Sequence, residues 1–363
     1  MNERHDPREL VRRQSRVRGM MLGLALGETL GGARGRLPDS GPLRGGVSTQ
    51  LACFTAEGVI RAQVRGNHKG ICYAPGVVLH AYCRWAFLQG IEAEKMRRRW
   101  NPSGQPTWPD GWLAGVPALA ERRGSAPATV TALSRIDQRQ ERMATPSRGC
   151  HALTRGLPIA VTGIGGIAQA GAVAALTHGD AAAQAATVHA AVLAHHCLTH
   201  SSRERGASAR DALHDGIAAL PSAGQPITDD EHRSLLATFR HAVDEPANAA
   251  RLAQLAPNPS APSALLGGLY VAASFPDRAD LRAALEFAAR APDGESVACV
   301  TGALLGAVHG GEALPVDLIS RHELAWVLDT LARDLVMELE DSPSGSEYVP
   351  AWDPHWWDRY PGW

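Results

Sequence analysis

Apolar residues recur at three- and four-residue steps through nearly the whole chain, and this single pattern excludes most folds. In the first long run Val17, Met20, Met21 and Leu24 share one helical face until "GETLGG" breaks the series. Such spacing builds an amphipathic helix, whereas a half-buried strand alternates at every second position. Similar Ala- and Leu-rich runs cover 14–30, 50–65, 75–90, 165–177, 181–200, 208–219, 230–243, 262–274, 278–290, 296–309 and 320–337. The joins are short and contain Gly, Pro, Asp or Ser, which end helices or begin turns. Only "LPIAVTGI" at 157–164 tempts a strand, and "WNPSGQPTWPDG" at 100–111 reads as irregular surface. The expected fold is all-α, a compact multi-helix bundle in one domain over 14–338, with an N-terminal tail at 1–13 and a Trp-rich arm at 339–363.

Charge and cysteine usage narrow the function classes. With 36 basic and 37 acidic residues, no overall charge demands a nucleic acid or a membrane surface. Lys69 and Lys95 are the only lysines, so the Arg excess is a feature of the whole chain and not of one face. The six cysteines are dispersed, never as CxxC, and read as buried free thiols in a reducing compartment. The opening "MNERHDPRELVRRQSRVRG" lacks the apolar core of a signal peptide, and no segment approaches the roughly 20 apolar residues that span a bilayer. The expected location is cytoplasmic.

Four short motifs carry candidate chemistry. "TGIGGIAQA" at 162–170 imitates a dinucleotide fingerprint, but an Ala-rich helix follows where a second strand and an acidic residue are needed, so close helix packing is the better account. "HHCLTH" puts His196 and His200 one helical turn apart, without a third ligand in view. "RGGVSTQLACF" places Ser48 and Thr49 before an apolar run, where a hydroxyl caps a helix or an open helix start holds an anion or a metal. "PDGESVACVTGALLGAVHGG" clusters Asp293, Glu295 and Ser296 ahead of another apolar run. Carboxylates there complement the helix dipole, and with the hydroxyl they also suit a hard cation such as Mg2+.

Taken together, "RVRGMMLGLALGETLGG", "STQLACFTAEGVIRA", "GCHALTRGLPIAV", "THGD" and "DGESVACVTGALLGAVHG" resemble, in order and spacing, the ADP-ribosylglycohydrolase family over 14–312. The resemblance implies an all-α fold, a pair of Mg2+ ions in a cleft, and hydrolysis of the bond between ADP-ribose and a protein side chain or another leaving group. It also implies that Ser48-Thr49 and Asp293-Glu295-Ser296 line one pocket.

The departures from the family pattern fall on the chemistry. Where the family reads Thr-Asp-Asp-Thr-Gln, with the Thr and both Asp on the metals, this chain has Gly46, Val47 and Ser48 before the matching Thr49 and Gln50. Asp293 and Ser296 match the second half-site, but Glu295 replaces an Asp. The usual "GDALG" has become "GETLG" through Glu28, and Gly35 replaces an acidic residue. The ribose-side loop, usually Gly-Asn-Gly-x-x-Met-Arg, reads Gly149-Cys150-His151-Ala152-Leu153-Thr154-Arg155. Two divalent cations need several anionic ligands to offset their charge.

The expected function is therefore recognition of ADP-ribose, a related nucleotide or an ADP-ribosylated protein, with hydrolysis weak or lost. The expected ligand-binding residues are Ser48, Thr49, Gly149, Cys150 and His151. Asp293, Glu295 and Ser296 would hold Mg2+ weakly at most. The alternative is an active hydrolase of an N- or O-glycosidic bond to ribose, in which Asp293 and Glu295 position the water and stabilise the developing charge. A second alternative is an interaction protein without a ligand. The terminal "YVPAWDPHWWDRYPGW" holds four of nine tryptophans, suited to stacking on an adenine or a partner, or to packing across its own domain.

Overall fold

A computed structural model describes residues 7–101, 108–138, 140–200, 208–223, 227–346 and 353–362. Of the described residues 71% are helical, and no strand forms among them. The helices that position the site are α1 (Pro7–Gly32), α2 (Val47–Lys69), α3 (Ala74–Leu88), α4 (His151–Thr154), α5 (Ile164–Ala175), α6 (Ala181–Thr199), α7 (Ala261–Ser274), α8 (Gly294–His309) and α9 (Ala325–Glu340). No helix among the described residues is long and apolar enough to cross a membrane.

At the centre α1 and α8 run antiparallel with their backbones nearly touching. Gly19, Gly23, Gly27 and Gly31 lie one turn apart on α1 and face Gly306, Gly302, Ala298 and Gly294 on α8. A Cβ on any of the four α1 glycines would stand 2.0–2.3 Å from a carbonyl oxygen of α8, so only hydrogen fits there. The pairing sets the end of α1 beside the start of α8, which brings residue 28 to residues 293–296. On its other side α8 meets α7, where Gly268 leaves room for Val300.

Several boundaries differ from the sequence reading, each for a physical reason. Helix α1 includes the described residues from Pro7 on, within the segment read as tail, because Leu10 there packs against the core. Helix α2 begins at Val47, so Ser48 and Thr49 lie inside its first turn; the cap position belongs to Gly46, which has no side chain to cap with. The strand-like "LPIAVT" forms a 3-10 helix, Leu157–Thr162, and its aliphatic residues are buried against the bundle. Ala93–Trp100, Pro127–Ser134 and Ala249–Leu255 are helices that the apolar periodicity did not reveal. Residues 102–107 of the irregular 100–111 segment, and Trp352 and Trp363 of the Trp-rich end, lie outside the described residues.

The described part of the C-terminal arm packs across the domain. Trp356 and Tyr360 are buried, the Tyr360 hydroxyl donates to Asp334 on α9 at 2.7 Å, and Arg359 pairs with Asp334 and Asp353. Trp357 is 40% exposed and meets the edge of His68 on α2.

Candidate functional site

The two half-sites read from the sequence meet through Glu28. From α1 its buried carboxylate reaches the first turn of α2, where the Ser48 N–H donates to Oε1 at 2.6 Å and the Thr49 N–H to Oε2 at 2.8 Å. The Thr49 hydroxyl also donates to Oε2, at 2.5 Å. These amides are the unpaired donors that open any helix, and a capping side chain normally comes from the residue just before them. Here the cap arrives from another helix.

On the opposite side Glu295, at the start of α8, hydrogen-bonds the Glu28 carboxylate. Burial, then the charges of Glu28 and Asp293, push the Glu295 carboxyl up to about 7. Asp293 Oδ2 accepts from the Ser296 hydroxyl. The buried Cys150 thiol bonds Ser296, and burial followed by the charges of Asp293 and Glu295 pushes it up to about 12, which makes it a poor nucleophile.

A hydrogen-bond relay joins α4 to α2. His151 Nε2 lies 3.1 Å from the Ser125 carbonyl, an obligate acceptor, so Nε2 bears the proton and Nδ1 accepts from the Ser48 hydroxyl at 3.2 Å. Ser48 in turn accepts from the Thr154 hydroxyl at 3.0 Å. Burial holds His151 below the usual imidazole range despite the nearby Glu28, in keeping with a neutral ring. Gly149 is half-buried, donates its N–H to the Ser147 hydroxyl oxygen at 3.1 Å, and pairs with Ser260 ahead of α7.

The structure thus brings Ser48, Thr49, Cys150, His151, Asp293, Glu295 and Ser296 into one cluster, with Gly149 at its margin. Ser48 and Thr49 are buried and their hydroxyls are engaged within the protein. Two members escaped the sequence reading as site residues, Glu28 and Thr154. Glu28 was visible as a departure in "GETLG", the one acidic residue within the glycine stripe.

The donor set does not fit the Mg2+ pair that the resemblance implies. Glu28 spends its oxygens on the donors of α2 and on Glu295, Glu295 is held toward its neutral form, and Val47 offers no ligand. Among the described residues no group of three or more His, Cys, Asp or Glu is arranged to hold a metal ion. His196 and His200 belong to no such group.

Beside the cluster lies a cavity of about 320 Å³ bounded by Val47, Trp85 and Gln89 and by the loop Arg122–Pro127. Its wall is fixed by two buried amides. Gln50 Nε2 donates to the carbonyls of Ala118 and Glu121, and Gln89 Nε2 to those of Leu119 and Glu121. The cavity touches the cluster at Ser125, whose carbonyl holds His151, and at Val47, which opens α2. Glu323 pins this loop by accepting from the Gly45 N–H and pairing with Arg123.

None of the curated proteins compared matches this chain. A solved structure titled "ADP-ribosylglycohydrolase-related protein complex" is similar, with a TM-score of 0.57 and 22% identity over 90% of this chain and 98% of that one, a likeness that shows the fold. The family model for ADP-ribosylglycohydrolase matches residues 9–344, nearly the whole helical domain. The chain belongs to the ADP-ribosylglycohydrolase family.

Proposed function

We propose that this protein binds an ADP-ribose-type ligand, free or attached to a protein, and does not hydrolyse it. The observation that carries the reading is the Glu28 carboxylate, which caps α2 and is hydrogen-bonded to Glu295. The acidic groups that hydrolysis would use to bind a metal or activate water are consumed by one another and by the fold. Binding is supported by the neighbouring cavity, whose volume is that of a small-molecule site, with Trp85 on one side and Arg122 exposed at the rim. A guanidinium suits a pyrophosphate.

Calorimetry with ADP-ribose, with and without Mg2+, tests the reading together with an assay for ADP-ribose release from an ADP-ribosylated protein. Binding that ignores Mg2+, without release, is the expected result. Metal-dependent binding or turnover would establish the hydrolase instead. No binding in either condition would leave an interaction protein built on the family's helical frame.

A further inference from the structure

We propose that Glu28 and Gly46 form one interlocked unit that closes this site to divalent cations, so that their departures from the family pattern are a single joint change. Gly46 has φ −85° and ψ −170°, an extended conformation open to any residue, so glycine is not there for its backbone freedom. It is there for space. A Cβ at position 46 would stand 2.5 Å from both Cδ and Oε1 of Glu28 and 2.9 Å from Oε2. The Glu28 carboxylate occupies the volume that any side chain at 46 would need.

Its position has an electrostatic consequence. Three donors converge on it, the N–H groups of Ser48 and Thr49 and the Thr49 hydroxyl, at the positive end of the α2 dipole. A cation placed there faces positive ends unless carboxylates on the same helix outweigh them, and Val47 and Ser48 are neutral. Mg2+ also demands near-octahedral oxygen ligands at about 2.0–2.1 Å, which a carboxylate fixed by three donors and by Glu295 cannot supply without uncapping α2. Adding carboxylates at 47 and 48 while Glu28 and Gly46 remain therefore does not reopen the site. The inference holds whether or not the cavity binds ADP-ribose, because its tests read metal binding and stability alone.

Two experiments on the full chain decide it. In the first, Mg2+ is titrated calorimetrically into the V47D/S48D/E295D variant and into the same variant carrying E28D and G46T as well. The five-fold variant is expected to bind Mg2+ at least about tenfold more tightly than the three-fold one. Equal affinities would overturn the proposal. In the second, melting temperatures are compared for native protein, G46A, E28D and E28D/G46A. G46A alone should lower the melting temperature, and E28D, by withdrawing the carboxylate, should make the same Cβ tolerable, so that the double variant melts above the value expected by adding the two single shifts. Simple additivity would show that residues 28 and 46 are independent and would sink the interlock even if the multiple variants failed to fold.

Discussion

Thr49 gives both its backbone N–H and its hydroxyl to Glu28, at 2.8 and 2.5 Å, across 21 positions of sequence. The contact ties α1 to α2 and satisfies amides that the glycine cap position leaves open. Replacing Glu28→Ala removes the acceptor while its donors stay buried, a loss of about 2–3 kcal/mol on the scale of unsatisfied buried groups and lost caps. Chemical denaturation should show that loss, with Glu28→Gln intermediate because one oxygen still accepts. An E28A variant as stable as the native protein would mean that water replaces the carboxylate without cost.

The glycine stripe makes a second demand on the sequence. Gly23→Ala puts a methyl 2.1 Å from the Gly302 carbonyl oxygen, where neither backbone can yield without separating α1 from α8. A destabilisation of about 1–3 kcal/mol or more is expected, as for other overpacked cores. Gly165→Ala on α5 is the control: nothing lies within 4 Å of its Cβ position, so better helix propensity should make it neutral or slightly stabilising. Thermal melts of both variants check the contrast.

This stripe also shows why the frame was legible in the sequence while the centre of the site was not. The spacing of Gly19, Gly23, Gly27 and Gly31 and of the apolar residues between them is local, so α1 and α8 could be read along the chain. The "DGES" segment could be placed at a helix start for the same reason. The role of Glu28 depends on how close α1 passes to α2, and that distance follows from packing that no local pattern encodes. Gly46 looked like a lost ligand because one residue at a time cannot reveal that its missing side chain is filled by another. Ala93–Trp100 was hidden by its run of charge, "EKMRRR", which obscures any apolar face.

Arg155 offers a third test. Its guanidinium is buried, stacks 4.4 Å from the Tyr82 ring, and donates to Thr129 at 2.9 Å and Thr177 at 2.6 Å; among the described residues no carboxylate pairs with it. It joins α3 to the Pro127–Ser134 helix that follows the cavity loop and to the turn after α5. A lysine cannot reproduce the planar stack and both bonds. Arg155→Lys should therefore cost roughly 2–4 kcal/mol, within the range for disrupting a buried charged group, and should weaken ADP-ribose binding by loosening the cavity wall. A stable R155K with unchanged affinity would show that the wall does not depend on it.

Glu338 gives a pH dependence whose sign follows from its surroundings. It is fully buried on α9, accepts from Asn67 Nδ2 on α2 at 3.1 Å and from the Ser344 hydroxyl, and burial pushes its carboxyl up to about 7 despite those bonds. In the unfolded chain the group titrates near 4.5. Below that value both states hold the proton and the residue contributes no pH dependence. Between about 4.5 and about 7 the unfolded chain has lost the proton and the folded chain retains it, so this residue's contribution to stability falls as pH rises, and it levels off above that window. A shift of this size corresponds to about 3 kcal/mol across the window. Glu338→Gln keeps a neutral amide in place of the protonated acid and should remove that component, leaving other groups such as Glu295 to titrate as before. The stability of E338Q relative to the native protein, from denaturant unfolding at pH 4.5 and pH 7.5, should therefore rise with pH by about that amount. A difference that stays flat, or falls, would mean that Glu338 is already ionised in its pocket near neutral pH.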